Sequence, residues 1–192
     1  MGDQKVKQDE SKKNAAVLVI DMISDFDFED GDKLFANALR IAPQIFQIKQ
    51  YAREHKIPFV FVNDSYGKWH RDLGSFIEAI RKSNKKAEHI LDLVRPKADD
   101  LYILKPQRSG FYDTDLEHML EGFNVNHVLI TGLTTDICVL FTAHDAYMRA
   151  LQVRVPADCT AAVEDEFHRQ ALDFLERIAD VDTTTWKEKS EI

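Results

Sequence analysis

Residues 15–20 read Ala-Ala-Val-Leu-Val-Ile, an apolar run without interruption that ends on Asp21. A strand with one face in water alternates apolar and polar residues, so an unbroken run of this length belongs to a strand covered on both faces. The pattern recurs in "IPFVFVND" (57–64), "DLYILK" (100–105), "NHVLITG" (126–132) and "QVRVPAD" (152–158), and "VDTTTW" (181–186) supplies a sixth candidate strand. Between the runs lie stretches with helical spacing. Leu34, Leu39, Ile41, Ile45, Ile48 and Tyr51 mark the first, and "SFIEAIRKS", "AEHILDLV", "DTDLEHMLEGF", "DICVLFTAHDAYMRAL" and "EDEFHRQALDFLERI" follow. Strands alternating with helices predict a three-layer αβα domain, with a six-stranded, mainly parallel, Rossmann-like sheet and right-handed crossovers.

The 192 residues suit one such domain, because two would each be thin. The expected boundaries are a flexible N-terminal tail over 1–14, the domain over 15–186 and a charged C-terminal tail over 187–192. A formal charge of −8 gives little reason to expect nucleic acid as a partner, and the basic run RKSNKK (81–86) is too small to change this. No apolar run approaches the roughly 20 residues that span a bilayer, and the first 14 residues hold no hydrophobic signal core, so a cytoplasmic protein is expected. The glycines form neither GxGxxG nor a P-loop, and the seven histidines are scattered, which supports neither a nucleotide cofactor nor a metal. His70 near Asp64 is the one pairing worth testing as a metal site.

Ligands of parallel sheets bind beyond the carboxyl ends of the strands. Asp21, Asp64, Lys105 and the turn at Gly132 all stand there. Cys138 falls in the first turn of the helix after Gly132; with Thr135 or Asp136 as cap, the helix start favours a thiolate and an activated nucleophile. The other reading is a buried cysteine acting as a small hydrophobe. Cys159, which lacks that placement, reads as structural. Lys105, before Pro106, could hold a thiolate or stabilise developing negative charge, and a partly buried Asp21 could act as a base.

Taken in order, "VLVIDMISDF", "LKPQRSGFYDTDL", "VLITGLTTDICVLFTAHDAYMRAL" and "VPADCTAAVEDEFHRQAL" resemble the isochorismatase-like cysteine hydrolases over about residues 15 to 185. The resemblance implies a catalytic triad of Asp21, Lys105 and Cys138, a cis Leu133–Thr134 peptide, and an oxyanion hole from the backbone N–H groups of Thr134 and Cys138. It implies hydrolysis of a C–N bond in a small amide-type molecule through a cysteine thioester, without cofactor, in a homodimer or homotetramer. Phe26, Trp69 and Phe111 are the corresponding candidates for touching the substrate. Nicotinamidases of the family bind a metal through an Asp-x-His motif; here Tyr66 follows Asp64 where that His would stand, so a metal-independent enzyme is expected. Family members that cleave the vinyl ether of isochorismate generally lack the cysteine. That reaction, and a non-catalytic binding protein on the same fold, are the alternatives.

Overall fold

A computed structural model describes residues 14–65, 67 and 72–192. Its centre is a parallel sheet of six strands: β1 (Ala15–Ile20), β2 (Phe59–Asp64), β3 (Leu101–Lys105), β4 (His127–Leu133), β5 (Gln152–Arg154) and β6 (Thr160–Ala161). The order across the sheet is β3-β2-β1-β4-β5, with β6 also pairing β4. β1 and β4 therefore lie in the middle, which is why their sequences are apolar on both faces. All six residues of β1 and all seven of β4 are buried.

Alternate residues of β1 enter two different cores. Val17 and Val19 pack with the long α1 (Gly31–Glu54), α2 (Leu73–Ser83) and α3 (Lys85–Val94) on one face. Ala16, Leu18 and Ile20 pack on the other face with α4 (Leu116–Gly122), α5 (Leu140–Met148) and α6 (Asp165–Ala179). The three-layer αβα architecture follows directly from this two-sided burial.

The sixth strand is not where the sequence pattern puts it. Residues 181–186 form only one bridge, Asp182 opposite Arg154, and the strand is Thr160–Ala161 instead. Backbone bonds hold Asp182 and Thr183 beside β5, with the Val155 N–H donating to the Asp182 carbonyl at 2.9 Å, and polar side chains then turn the segment: Asp182 accepts the Thr184 N–H, and Thr185 bonds Glu188. The residues beyond Trp186 also pack on the domain. The Arg154 guanidinium, 1% exposed, donates to the carbonyls of Thr184, Thr185, Lys189 and Glu191.

Two backbone features shape the carboxyl edge. Gly132 has φ +102°, and a Cβ there would sit 2.1 Å from the Ile20 carbonyl oxygen, so only glycine lets β4 approach β1 at this register. The next peptide, Leu133–Thr134, is cis.

Candidate active site

Register brings the predicted residues together. Ile20 pairs with Gly132, so Asp21 leaves β1 beside the turn that leaves β4; Asp64 pairs with Lys105 at the ends of β2 and β3. Asp21 sits in the left-handed region at φ 50°, a conformation aspartate adopts more readily than most residues. One of its carboxylate oxygens accepts the Asp64 N–H at 2.7 Å. The other accepts from Lys105 Nζ at 2.9 Å. The same ammonium, fully buried, lies 3.5 Å from Cys138 Sγ and 3.8 Å from the Asp64 carboxylate.

One cation thus faces two carboxylates and a thiol. Burial pushes the Asp21 carboxyl above its ordinary range, while Lys105 works to lower it. Burial likewise works to lower the Lys105 ammonium, but the charge of Asp21, joined by that of Cys138 where the thiol ionises, outweighs it and holds the group above its usual value. The Cys138 thiol is pushed up to about 12, first by burial and then by the negative charge of Asp21, against the pull of Lys105. Burial and the Asp21 charge thus work against the thiolate that a helix start and Lys105 favour. The single positive charge of Lys105 is already matched by Asp21, which leaves less of it to favour a thiolate.

The turn carrying Cys138 also differs from the expected capped α-helix. Residues Thr135–Val139 form a π turn that precedes α5, and its cap position is Thr134, whose side chain makes no capping bond. Thr135 is engaged elsewhere: its hydroxyl lies 2.8 Å from His168 Nδ1 on α6. The Cys138 carbonyl accepts from the Thr142 hydroxyl at 2.7 Å, and that hydroxyl accepts the Gly110 N–H at 2.9 Å. The loop after Lys105 and the turn of Cys138 are thereby joined through one side chain. Neither His168 nor Thr142 was legible as a site residue, because nothing in a linear pattern shows that α6 or the loop after β3 meets this turn.

A cavity of about 200 Å³ opens over Asp21 and Cys138. Phe26, Phe28, Leu34, Leu133 and Ile137 give it an apolar wall, with Ser24, Asp64 and Thr134 as the other lining groups. Of the three aromatics expected at the substrate, Phe26 lines this cavity. Phe111 does not: it is buried in the second core beneath the Arg149 guanidinium, 4.8 Å from its ring centre. Trp69, together with Tyr66 and His70, lies outside the described residues. Phe28, half exposed at the cavity, carried no signal in the sequence beyond its place in an acidic loop. Cys159 is fully buried and burial raises its thiol, in keeping with a structural part. Among the described residues no group of three or more His, Cys, Asp or Glu side chains is placed to hold a metal ion.

The family model of the isochorismatase domain matches residues 15–186. The chain belongs to the isochorismatase family. An uncharacterised isochorismatase family protein of Bacillus subtilis is 37% identical over 175 residues, covering 91% of this chain and 96% of that protein. A protein of Arabidopsis thaliana described as a probable inactive nicotinamidase is 29% identical, covering 93% of this chain and 96% of its own length. Among solved structures, the N-carbamoylsarcosine amidase of Thermoplasma acidophilum superposes with a TM-score of 0.68 at 26% identity, over 90% of this chain and 96% of that one. An isochorismatase-like hydrolase from Alkaliphilus metalliredigens gives 0.70 at 28% identity, over 88% and 86% of the two chains. The six-stranded αβα sheet of this isochorismatase-family chain is thus shared with hydrolases.

Proposed function

We propose that this protein hydrolyses the C–N bond of a small amide through a thioester on Cys138, with Asp21 as proton carrier and Lys105 as fixed positive charge. The observation that carries the reading is the buried Lys105 ammonium, within reach of Asp21 and Cys138 at once. A binding site for a neutral ligand has no need to bury a cation, a carboxylate and a thiol together.

In the reaction, Asp21 takes the Cys138 proton as the sulfur attacks the carbonyl carbon. Charge then passes from the thiol to the carbonyl oxygen, where the N–H groups of Thr134 and Cys138 form the oxyanion hole. Lys105 stays protonated throughout and offsets the negative charge as it moves between groups. Asp21 returns the proton to the leaving nitrogen, the C–N bond breaks, and a thioester is left. Water, deprotonated by Asp21, attacks the thioester; the acid product leaves and the thiol is restored. The raised carboxyl of Asp21 makes it a better base than a solvent-exposed aspartate.

The cavity supports a small substrate with an apolar body, since about 200 Å³ is below the roughly 300–1,000 Å³ of sites for drug-sized ligands. The amidase among its structural relatives supports C–N cleavage over ether cleavage. A panel of small primary amides and carbamoyl compounds, assayed for ammonia release, tests the proposal. Turnover should vanish in Cys138→Ala, and quenched wild type should carry an acyl mass adduct on the Cys138 peptide. Turnover that survives Cys138→Ala, or release of pyruvate from isochorismate in place of ammonia from any amide, would overturn it.

A further inference from the structure

A second cavity, of about 280 Å³, lies between α1, the turn Ala157–Cys159, β6 and α6. It is larger than the cavity over Cys138 and shares no lining residue with it. Two of its lining residues carry buried atoms without a hydrogen-bond partner among the described residues: the hydroxyl oxygen of Thr160, a residue 2% exposed, and the carboxamide oxygen of Gln44. Folds leave few buried polar atoms unbonded, because each one forgoes the bonds it had in water. One water takes up only about 30 Å³, so this cavity has room for a larger partner. The exposed part of the lining carries both signs of charge. Arg40 and Asp165 pair there at 3.0 Å, and an exposed pair opens to a ligand at little cost. Lys187 lines the same cavity and is exposed, while Asp158 is held in place by accepting the backbone N–H groups of Trp186 at 2.6 Å and Lys187 at 3.3 Å. Buried Ile41, Ala161 and Ala162 add an apolar wall.

We infer that this cavity is a second ligand site, built for a small zwitterion of the α-amino acid class with a short aliphatic side chain. The Gln44 oxygen can only accept, so the ligand must bring a donor, and the Thr160 hydroxyl can donate to an acceptor that the ligand also brings. An α-amino acid carries the two on one carbon, as ammonium and carboxylate. The charges disfavour simpler ions. A lone anion would face Asp158 and Asp165, a lone cation would face Arg40 and Lys187, and a zwitterion meets each sign with its opposite. The apolar wall then takes the aliphatic side chain. His168 completes the lining: burial holds its imidazole below the usual pKa, so it adds no charge near neutral pH, and its Nδ1 lies 2.8 Å from the Thr135 hydroxyl. That ring is therefore a reporter at the wall of the site.

The inference does not depend on the proposed chemistry, and a test in full-length Cys138→Ala protein keeps the two apart. L-valine is titrated while the imidazole signals are followed by NMR, with the His168 signal assigned by its loss in His168→Gln. It should shift saturably. Valinamide, which lacks the carboxylate, and isovalerate, which lacks the amino group, should each bind about tenfold more weakly or worse. Thr160→Val removes the hydroxyl at nearly equal volume and should weaken valine binding about tenfold, yet melt no lower than its parent, because that hydroxyl has no bond within the fold to lose. Lys187→Gln, at an exposed position, should weaken binding with unchanged circular dichroism. A His168 signal that valine does not move, valinamide or isovalerate binding as tightly as valine, unaltered binding in Thr160→Val or Lys187→Gln, or a Thr160→Val variant melting several degrees lower would each overturn it.

Discussion

Replacing Asp21 by Asn should move turnover and thiol reactivity in opposite directions. Asn keeps the oxygen that accepts the Asp64 N–H, so the local fold has its anchor, but the carboxylate charge is gone. In the native site that charge is the second cause, after burial, of the high Cys138 value of about 12. A unit charge about 4 Å away at an effective dielectric of 20 is worth about 4 kcal/mol, or about three pKa units. Lys105, no longer matched by Asp21, adds to the same effect. At fixed pH the thiolate fraction should then rise about 1,000-fold, while the lower basicity of the sulfur, at a Brønsted slope of about 0.45, cuts its intrinsic reactivity about 20-fold. The net expectation is alkylation of Cys138 about 40-fold faster, or about 7-fold if the effective dielectric is 40. Turnover of an amide should fall by about 100-fold or more, since the proton carrier is lost. Iodoacetamide labelling of the Cys138 peptide, read by mass spectrometry with Cys159 as internal reference, measures the first quantity. Labelling no faster in Asp21→Asn than in wild type would refute the view that Asp21 holds the thiol protonated.

Gly132→Ala should prevent accumulation of folded protein, because the new Cβ meets backbone of the central strand, which cannot swing aside, at a φ that L side chains rarely adopt. Soluble yield and thermal unfolding check this, and a variant melting within a few degrees of wild type would contradict it. Hydrogen bonds from Thr184, with Lys189 beside it, hold the Asp182 carboxyl down at about 2, whereas an unfolded chain has it near 3.9. Its contribution to stability is therefore present above about pH 4 and lost as the pH falls through about 2. Asp182→Asn should flatten the acid limb of stability in that window, as followed by chemical denaturation at a series of pH values.

The layers of the fold and the residues at the strand ends were open to reading from sequence because two-sided burial imprints each central strand locally. An unbroken apolar run such as Ala15–Ile20 has one good explanation, and the carboxyl-edge rule then picks out Asp21, Lys105 and the Gly132 turn without knowledge of their contacts. The features that escaped depend on partners far along the chain. Val181–Trp186 has strand composition, yet after Asp182 and Thr183 bond beside β5 the local bonds of Asp182 and Thr185 turn its backbone before a full strand forms. Thr135 looks like a helix cap until His168, on a helix 30 residues later, claims its hydroxyl. Phe111 has the position of a pocket residue, but the neighbouring Arg149 covers it within the opposite core. The charge balance around Cys138 escaped for a related reason: a helix start and a nearby lysine both argue for a thiolate, and only the three-dimensional site shows that Asp21 already matches the lysine's charge.

The arginine at the end of β5 has a consequence for how the molecule is born. Its buried guanidinium is solvated by the carbonyls of residues 184, 185, 189 and 191, which stand in for water. Chains emerge from the ribosome in order and domains usually fold from the N-terminal side as they appear. Here β5 can settle against β4 only once these late residues have been made, since before then its charge would enter the interior bare. Closure of the β5 edge therefore waits on residues 30 to 37 positions further along the chain, and until they arrive the flank of β4 that β5 covers stands open.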